Sequence, residues 1–235
     1  MTTNRDRMLA RIRAGLERTR PALEAEAASA PHVPPPFVHP AETDDLAQQF
    51  AAELARLQAH PHLCADEEAA LDVIQQLLER HTARAVIAWD LDEVGLPGLR
   101  ALLDARGVTV HDAALGDVSQ RAARLQAMEP APVCISGADA LIAESGTVVL
   151  RAGPGRPRLA SLLAPAYIAV ARRGQLVRGL GEALARLRER YGAAVFEDAS
   201  ALTLITGPSR TADIELTLTL GVHGPREVHV VIIQV

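Results

Sequence analysis

The sequence predicts an α/β fold: a mostly parallel sheet, covered on both faces to make three layers, preceded by an N-terminal helical extension. Three observations predict it. From residue 85 onward, short apolar runs alternate with stretches of helical periodicity, the order that β–α–β crossovers impose on parallel strands. Runs such as "AVIAW" and "VCIS" are apolar enough to read as buried. The 235 residues, 49% of them hydrophobic, suffice for one well-buried domain with a helical appendage.

The elements follow in order. Residues 2–20 place Met8, Ile12 and Leu16 at helical spacing and read as an amphipathic helix. Five prolines between residues 31 and 40 forbid helix there, so this part reads as an extended linker. The domain division accordingly falls at 1–40 and 41–235. "TDD" at 43–45 caps a helix over 44–58, with Leu46, Phe50, Leu54 and Leu57 on one face. Asp66, Glu67 and Glu68 open another that ends near Arg80. His60 and His62 flank a proline between these helices and are expected in a surface loop. Strands follow at 85–89, 108–110, 133–136, 147–150, 167–171, 201–206 and 228–235, with helices at 97–105, 117–128 and 180–190.

Composition excludes several functions. A net charge of −5 and 3% aromatics argue against a nucleic-acid surface. No apolar run is long enough to span a membrane, and the Arg-rich start lacks the apolar core of a secretory signal. Cys64 and Cys134 form no CxxC pair, so neither an iron–sulfur cluster nor a cysteine zinc site is expected within the chain. Unpaired cysteines fit a reducing cytoplasm. All 24 basic residues are arginine, which rules out a Schiff-base, pyridoxal-phosphate or P-loop lysine. The histidines show no ligand spacing, and no metal site or resident cofactor is expected.

Ligands of parallel sheets sit beyond the carboxyl ends of the strands. Three polar, turn-rich segments fall there: "SGADALIAESGT" (136–147), "RAGPGRPR" (151–158) and "TGPSRTADIE" (206–215), the last followed by "GVHGP" (221–225). In the first, Glu144 before Ser145, Gly146 and Thr147 is placed as a nucleophile or base, or as an ordinary turn carboxylate. In the second, Arg151, Arg156 and Arg158 form either a lid carrying cations to an anion or a solvated hairpin loop. In the third, Gly207 and Pro208 make a turn after which Ser209 or Thr211 caps a short helix. Its free N–H groups and Arg210 suit a phosphate or carboxylate; the alternative is simple capping. Asp213 can orient Arg210 or His223, and His223 can exchange a proton with a bound acid.

Together these segments resemble the LUD-domain family, the lactate utilization protein C group. The element Ala143 to Thr147, the Arg-containing loop, "GPSRTADIE" and "GVHGP" fit its pattern in order and spacing over roughly residues 43–235. The resemblance implies a fold like that of NagB, ribose-5-phosphate isomerase and the CoA transferases. It implies a non-iron–sulfur component of a system that oxidises L-lactate to pyruvate, beside a sister subunit that carries the clusters. Expected partners are that subunit and a small organic anion such as lactate or pyruvate, with self-association a further option; a nucleic acid or membrane is not expected. Expected ligand-binding residues are Gly207, Ser209, Arg210, Thr211, Arg158 and Thr147; expected catalytic residues are Glu144, His223 and Asp213. Two other functions stay open: an independent acyl- or phosphosugar-type enzyme using Glu144, and a structural partner without chemistry.

Overall fold

The computed structural model describes residues 3–28, 45–196, 199–212 and 218–235. The chain separates into a unit ending at Pro35 and one beginning at Pro36. The first holds α1 (Asn4–Ala28). Thr3 caps it: its hydroxyl donates to Asp6 Oδ2 at 2.7 Å, and the Asp6 N–H donates back to Thr3 Oγ1 at 3.2 Å. Met8, Ile12 and Leu16 form an exposed stripe on it. The helix continues past residue 20 through Pro21.

The second unit runs α2 (Leu46–Arg56), β1 (His60–Cys64), α3 (Glu67–Arg80), β2 (Ala85–Ala88), α4 (Leu91–Val94), α5 (Leu99–Ala105), β3 (Thr109–Asp112), α6 (Arg121–Met128), β4 (Val133–Ser136), β5 (Ala140–Ile142), β6 (Thr147–Ala152), β7 (Ala166–Arg172), β8 (Leu176–Val177), α7 (Leu180–Tyr191), β9 (Ala201–Ile205), β10 (Arg210–Ala212), β11 (Leu218–Leu220) and β12 (Glu227–Ile233). Six strands make a central parallel sheet in the order β1-β12-β7-β4-β2-β3. α3 packs across β1 and β12, and α5 against α3 and β3. The fold is therefore the expected α/β type with a mostly parallel central sheet.

Two expected strands, at 147–150 and 201–206, belong instead to a second sheet, β8-β5-β6-β9. It is mixed: β5–β6 and β6–β9 are antiparallel, β5–β8 parallel. A tight turn, Ala143 to Gly146, joins β5 to β6, and so short a link permits only an antiparallel pair. Successive side chains of these strands point to opposite faces. Leu141, Val148 and Leu150 join the main core. Ala140, Ile142 and Val149 build a smaller one with Ala183 and Leu187 of α7. Both faces are thus buried, and β5 lies inside the segment 136–147 that was expected to be a polar loop.

The other departures have similar causes. His60 and His62 lie on strand β1, not in a loop. β1 is an edge strand, the place where the missing N–H of Pro61 can be tolerated. Where a helix was expected after Pro208, the described residues 210–212 instead form strand β10, antiparallel to β11. The Ser209 N–H donates to the Pro225 carbonyl and the Gly221 N–H to the Ser209 carbonyl, both at 2.9 Å. These long-range bonds zip the two Gly-Pro turns together and override the local capping signal.

Two glycines seat the small sheet and the hairpin on the end of α2. Gly146 has φ +60, and a Cβ there would lie 2.7 Å from the Leu54 nitrogen. Gly207 has φ +80, and its Cβ would meet Leu57 Cβ at 2.9 Å. Only glycine meets both demands without strain.

Candidate functional site

The carboxyl ends of the central strands hold a built polar network. After β6, the chain turns back at Gly153 and Arg156, which exchange backbone hydrogen bonds of 3.1 and 3.0 Å. The loop crosses the ends of β2 and β4, where the strand order reverses, the usual ligand position in such sheets. The Asp90 N–H pins it there, donating to the Gly155 carbonyl at 2.8 Å.

Asp139, three residues beyond β4, is fully buried at the centre. It accepts from the Arg151 N–H (2.6 Å), the Tyr191 hydroxyl (2.7 Å) and Arg156 Nη1 (2.9 Å). Arg156 also donates through Nε to Glu93 Oε2 at 2.7 Å and lies 5.3 Å from the Trp89 ring centre. Burial works against the charge on Arg156, but its bond to Glu93 and the charge of Asp139 outweigh this and raise its pKa. Burial, then the bond to Asp139, raises the pKa of Tyr191. The Arg151 guanidinium stands 4.3 Å from the Tyr191 ring centre and donates to the Val195 carbonyl at 2.9 Å.

Beside this network lies a cleft of about 240 Å³ at the end of β7, whose polar lining is Asp92, Glu93, Arg156, Arg172, Gln175 and Arg190. Arg172 pairs with Glu67. Arg190 is half-exposed, 3.8 Å from Asp139. Three arginines line this recess; Arg156 and Arg172 are already paired with carboxylates, and Arg190, half-exposed, is the one best placed to offer planar donors to a carboxylate.

The expected site residues are distributed differently. Thr147 and Gly207 come together: a hydroxyl chain runs from Ser145 Oγ to Thr147 Oγ1 to Thr206 Oγ1 in steps of 2.8 Å, next to Gly207. Ser209 faces Gly224 across the hairpin base, with 3.3 Å between its Cβ and the position a Cβ on Gly224 would take. Arg210 donates to the Leu57 carbonyl at the end of α2. Thr211 pairs with Thr219 across the hairpin, and His223 is exposed in the following turn. Glu144 caps α7, its Oε1 accepting the Leu180 N–H at 3.3 Å. Arg158 is exposed at the start of a 3-10 turn. Asp213 and Glu215 lie outside the described residues.

A family model described as the LUD domain matches residues 47–233. The chain belongs to the LUD-domain family. Among similar proteins, the lactate utilization protein C of Macrococcus caseolyticus is 36% identical over 158 residues, covering 66% of this chain and 63% of that protein, just under two thirds of its length. The lactate utilization protein C of Geobacillus sp. strain WCH70 is 31% identical over 196 residues, covering 81% of this chain and 78% of that protein. The crystal structure of a DUF162 family protein from Deinococcus radiodurans matches with a TM-score of 0.57 at 24% identity, over 83% of this chain and 99% of that one; this likeness concerns the fold.

Sequence reasoning did not single out the buried centre of the LUD domain's network. Arg156 stood inside an Arg-rich loop, but Asp139, Glu93 and Tyr191 were not singled out. One signal was present: Asp139 is the sole charged residue between residues 130 and 143. An ionisable group inside so apolar a run needs a partner.

Proposed function

We propose that this chain serves lactate utilization as a non-iron–sulfur component, and that it binds a small 2-hydroxy or 2-keto carboxylate in the cleft at the end of β7. The convergence of Arg156, Arg172 and Arg190 on one recess carries this reading, and the names of the relatives supply the substrate class. Asp139, Tyr191 and Glu93 hold Arg156 in place before a ligand arrives, so little ordering remains to be done on binding. Arg190 and Arg172 are more exposed and close on the carboxylate from the rim. Both cysteines in the chain, Cys64 and Cys134, are buried and free. The redox step is accordingly assigned to an iron–sulfur partner subunit in the cytoplasm.

A second reading places the anion at the hairpin, on Ser209, Arg210 and Thr211. The observation favouring it is the backbone bonding that joins the two Gly-Pro turns into one frame. Calorimetric titration of L-lactate, pyruvate and phosphate into wild type, Arg190→Ala and Arg210→Ala separates the two. The cleft reading expects Arg190→Ala to lose roughly 1.5–3 kcal/mol of affinity, the worth of a hydrogen bond to a charged group. Undiminished lactate and pyruvate binding in Arg190→Ala would reject it.

A further inference from the structure

We propose that His81, Glu227 and His229 bind a divalent transition-metal ion of the zinc class at the amino end of the central sheet, on the side of the fold away from the Arg156 cleft. Glu227 and His229 are two apart on β12 and so share one face of the strand. His81 closes the C-terminus of α3, where the chain turns toward β2. Glu227 Oε2 lies 3.4 Å from His81 Nε2 and 3.5 Å from His229 Nε2, and one ligand atom from each of the three residues falls within 4.8 Å of the others.

Those separations are long for hydrogen bonds. They match the edges of a metal polyhedron: bonds of about 2.0–2.2 Å to a tetrahedral zinc ion put its ligands about 3.3–3.6 Å apart. The bonding state of the atoms points the same way. Among the described residues, five buried side-chain polar atoms lack a hydrogen-bond partner, and three of them are His81 Nε2, Glu227 Oε2 and His229 Nε2. Leaving three such atoms without a hydrogen bond in one spot costs stability, and a cation would satisfy all three at once. The His229 side chain is only 2% exposed, so bulk solvent does not reach it.

The surroundings are those of a ligating histidine. His229 Nδ1 is 3.1 Å from His62 Nε2. When His229 donates this bond, its proton sits on Nδ1 and its Nε2 lone pair is free for the ion, the usual outer support of a metal-bound imidazole. His60, the register partner of His229 on β1, stacks on its ring at 4.6 Å between centres. The carbonyl end of α3 adds a partial negative charge beside His81. Arg80 Nη2 approaches the same Glu227 oxygen at 3.3 Å, but its side chain is 57% exposed and free to swing away. Imidazole and carboxylate ligands favour zinc, copper or nickel over magnesium or calcium. Three protein ligands leave a fourth position for water.

The test uses the full chain, stripped with a chelator and dialysed. Zinc is titrated by calorimetry, and cobalt(II) binding is followed by visible absorption. One equivalent of zinc, a tetrahedral cobalt(II) spectrum and a zinc-dependent rise in Tm are expected. The His81 side chain is 17% exposed at the end of α3; His81→Asn, which keeps a polar side chain there, and Glu227→Gln should both abolish the spectrum and the rise in Tm. His62→Ala, removing only the outer support, should weaken zinc binding roughly 10–100-fold. Absence of zinc binding by wild type, or binding unchanged in both His81→Asn and Glu227→Gln, would overturn the proposal.

Discussion

The two ends of the central sheet treat buried polar groups in opposite ways. At the carboxyl end, Asp139 is fully buried and saturated, with donors from Arg151, Arg156 and Tyr191. At the amino end, His81, Glu227 and His229 converge and leave three atoms unmatched. A saturated network is finished as protein and acts as a scaffold for whatever binds next to it. An unsaturated one is finished only by an added ion. The contrast separates the group that fixes Arg156 from the group that awaits a ligand, and it can be broken or sharpened by experiment.

The largest effect is expected at the saturated end. Asp139→Ala strips Arg156 of its buried partner and leaves its charge in a site only 13% exposed. Breaking a buried pair from one side costs about 3–5 kcal/mol. Denaturant unfolding should show a loss of this size; a loss under about 1 kcal/mol would mean that water or Glu93 replaces Asp139. The same change on Glu227→Ala should be far smaller in metal-free protein, because Glu227 bonds there are long. Equal losses at both ends would erase the contrast.

The next effect concerns the shared core between the ends. Burial raises the Cys134 thiol from an ordinary 9.0 to about 11, and burial raises the pKa of the Tyr167 hydroxyl, which bonds Ser136 Oγ at 2.7 Å. Both groups stay neutral in the fold while the unfolded chain ionises. Their stabilising contribution is therefore full below the unfolded value and is lost as pH rises through the folded one. For Cys134 this amounts to roughly 3 kcal/mol at about 1.36 kcal/mol per pH unit, spent between pH 9 and 11. Chemical unfolding at pH 8, 9, 10 and 11 should show the decline, with a shallower slope in Cys134→Ala. A flat profile would refute the neutral burial of these groups.

How much of this was legible in the sequence depends on whether a feature is local or long-range. β4 is readable to the residue, since "VCIS" opens with three apolar residues and is bounded by Pro132 and Gly137. α3 was readable from its acidic start. β1 was not, because Pro61 and two histidines carry no strand pattern; only pairing with β12 makes it one. The pairing of β10 with β11 is hidden from the sequence for a related reason. Ser209 and Thr211 look like helix caps, and nothing nearby announces the bond from Ser209 to Pro225, sixteen residues on. Gly146 and Gly207 read as turn residues, but their reason, the closeness of Leu54 and Leu57 at the end of α2, lies far back along the chain. Asp139 and the trio of His81, Glu227 and His229 are likewise assembled by folding alone.

The smallest effect is expected at Arg210, and it decides between the cleft and the hairpin. Its guanidinium reaches the Leu57 carbonyl, one of the acceptors left open at the end of α2. The residue is exposed, so water can replace much of what this bond supplies. Removing such a bond costs about 0.5–1.5 kcal/mol, and the exposure puts Arg210→Ala at the lower end. If the anion binds in the cleft, lactate and pyruvate affinity in this variant should equal that of wild type, with only a small drop in Tm from a loosened contact between the hairpin and α2. If the anion binds at the hairpin, the same variant should lose roughly 1.5–3 kcal/mol of affinity, as a charge-assisted bond does, while Arg190→Ala binds normally. The two variants thus give mirror-image results under the two readings, and melting curves run beside the titrations keep a stability loss from passing as a binding loss. A fall in affinity confined to Arg210→Ala would move the site from the sheet's carboxyl end to the hairpin and leave the Asp139 network a purely structural device.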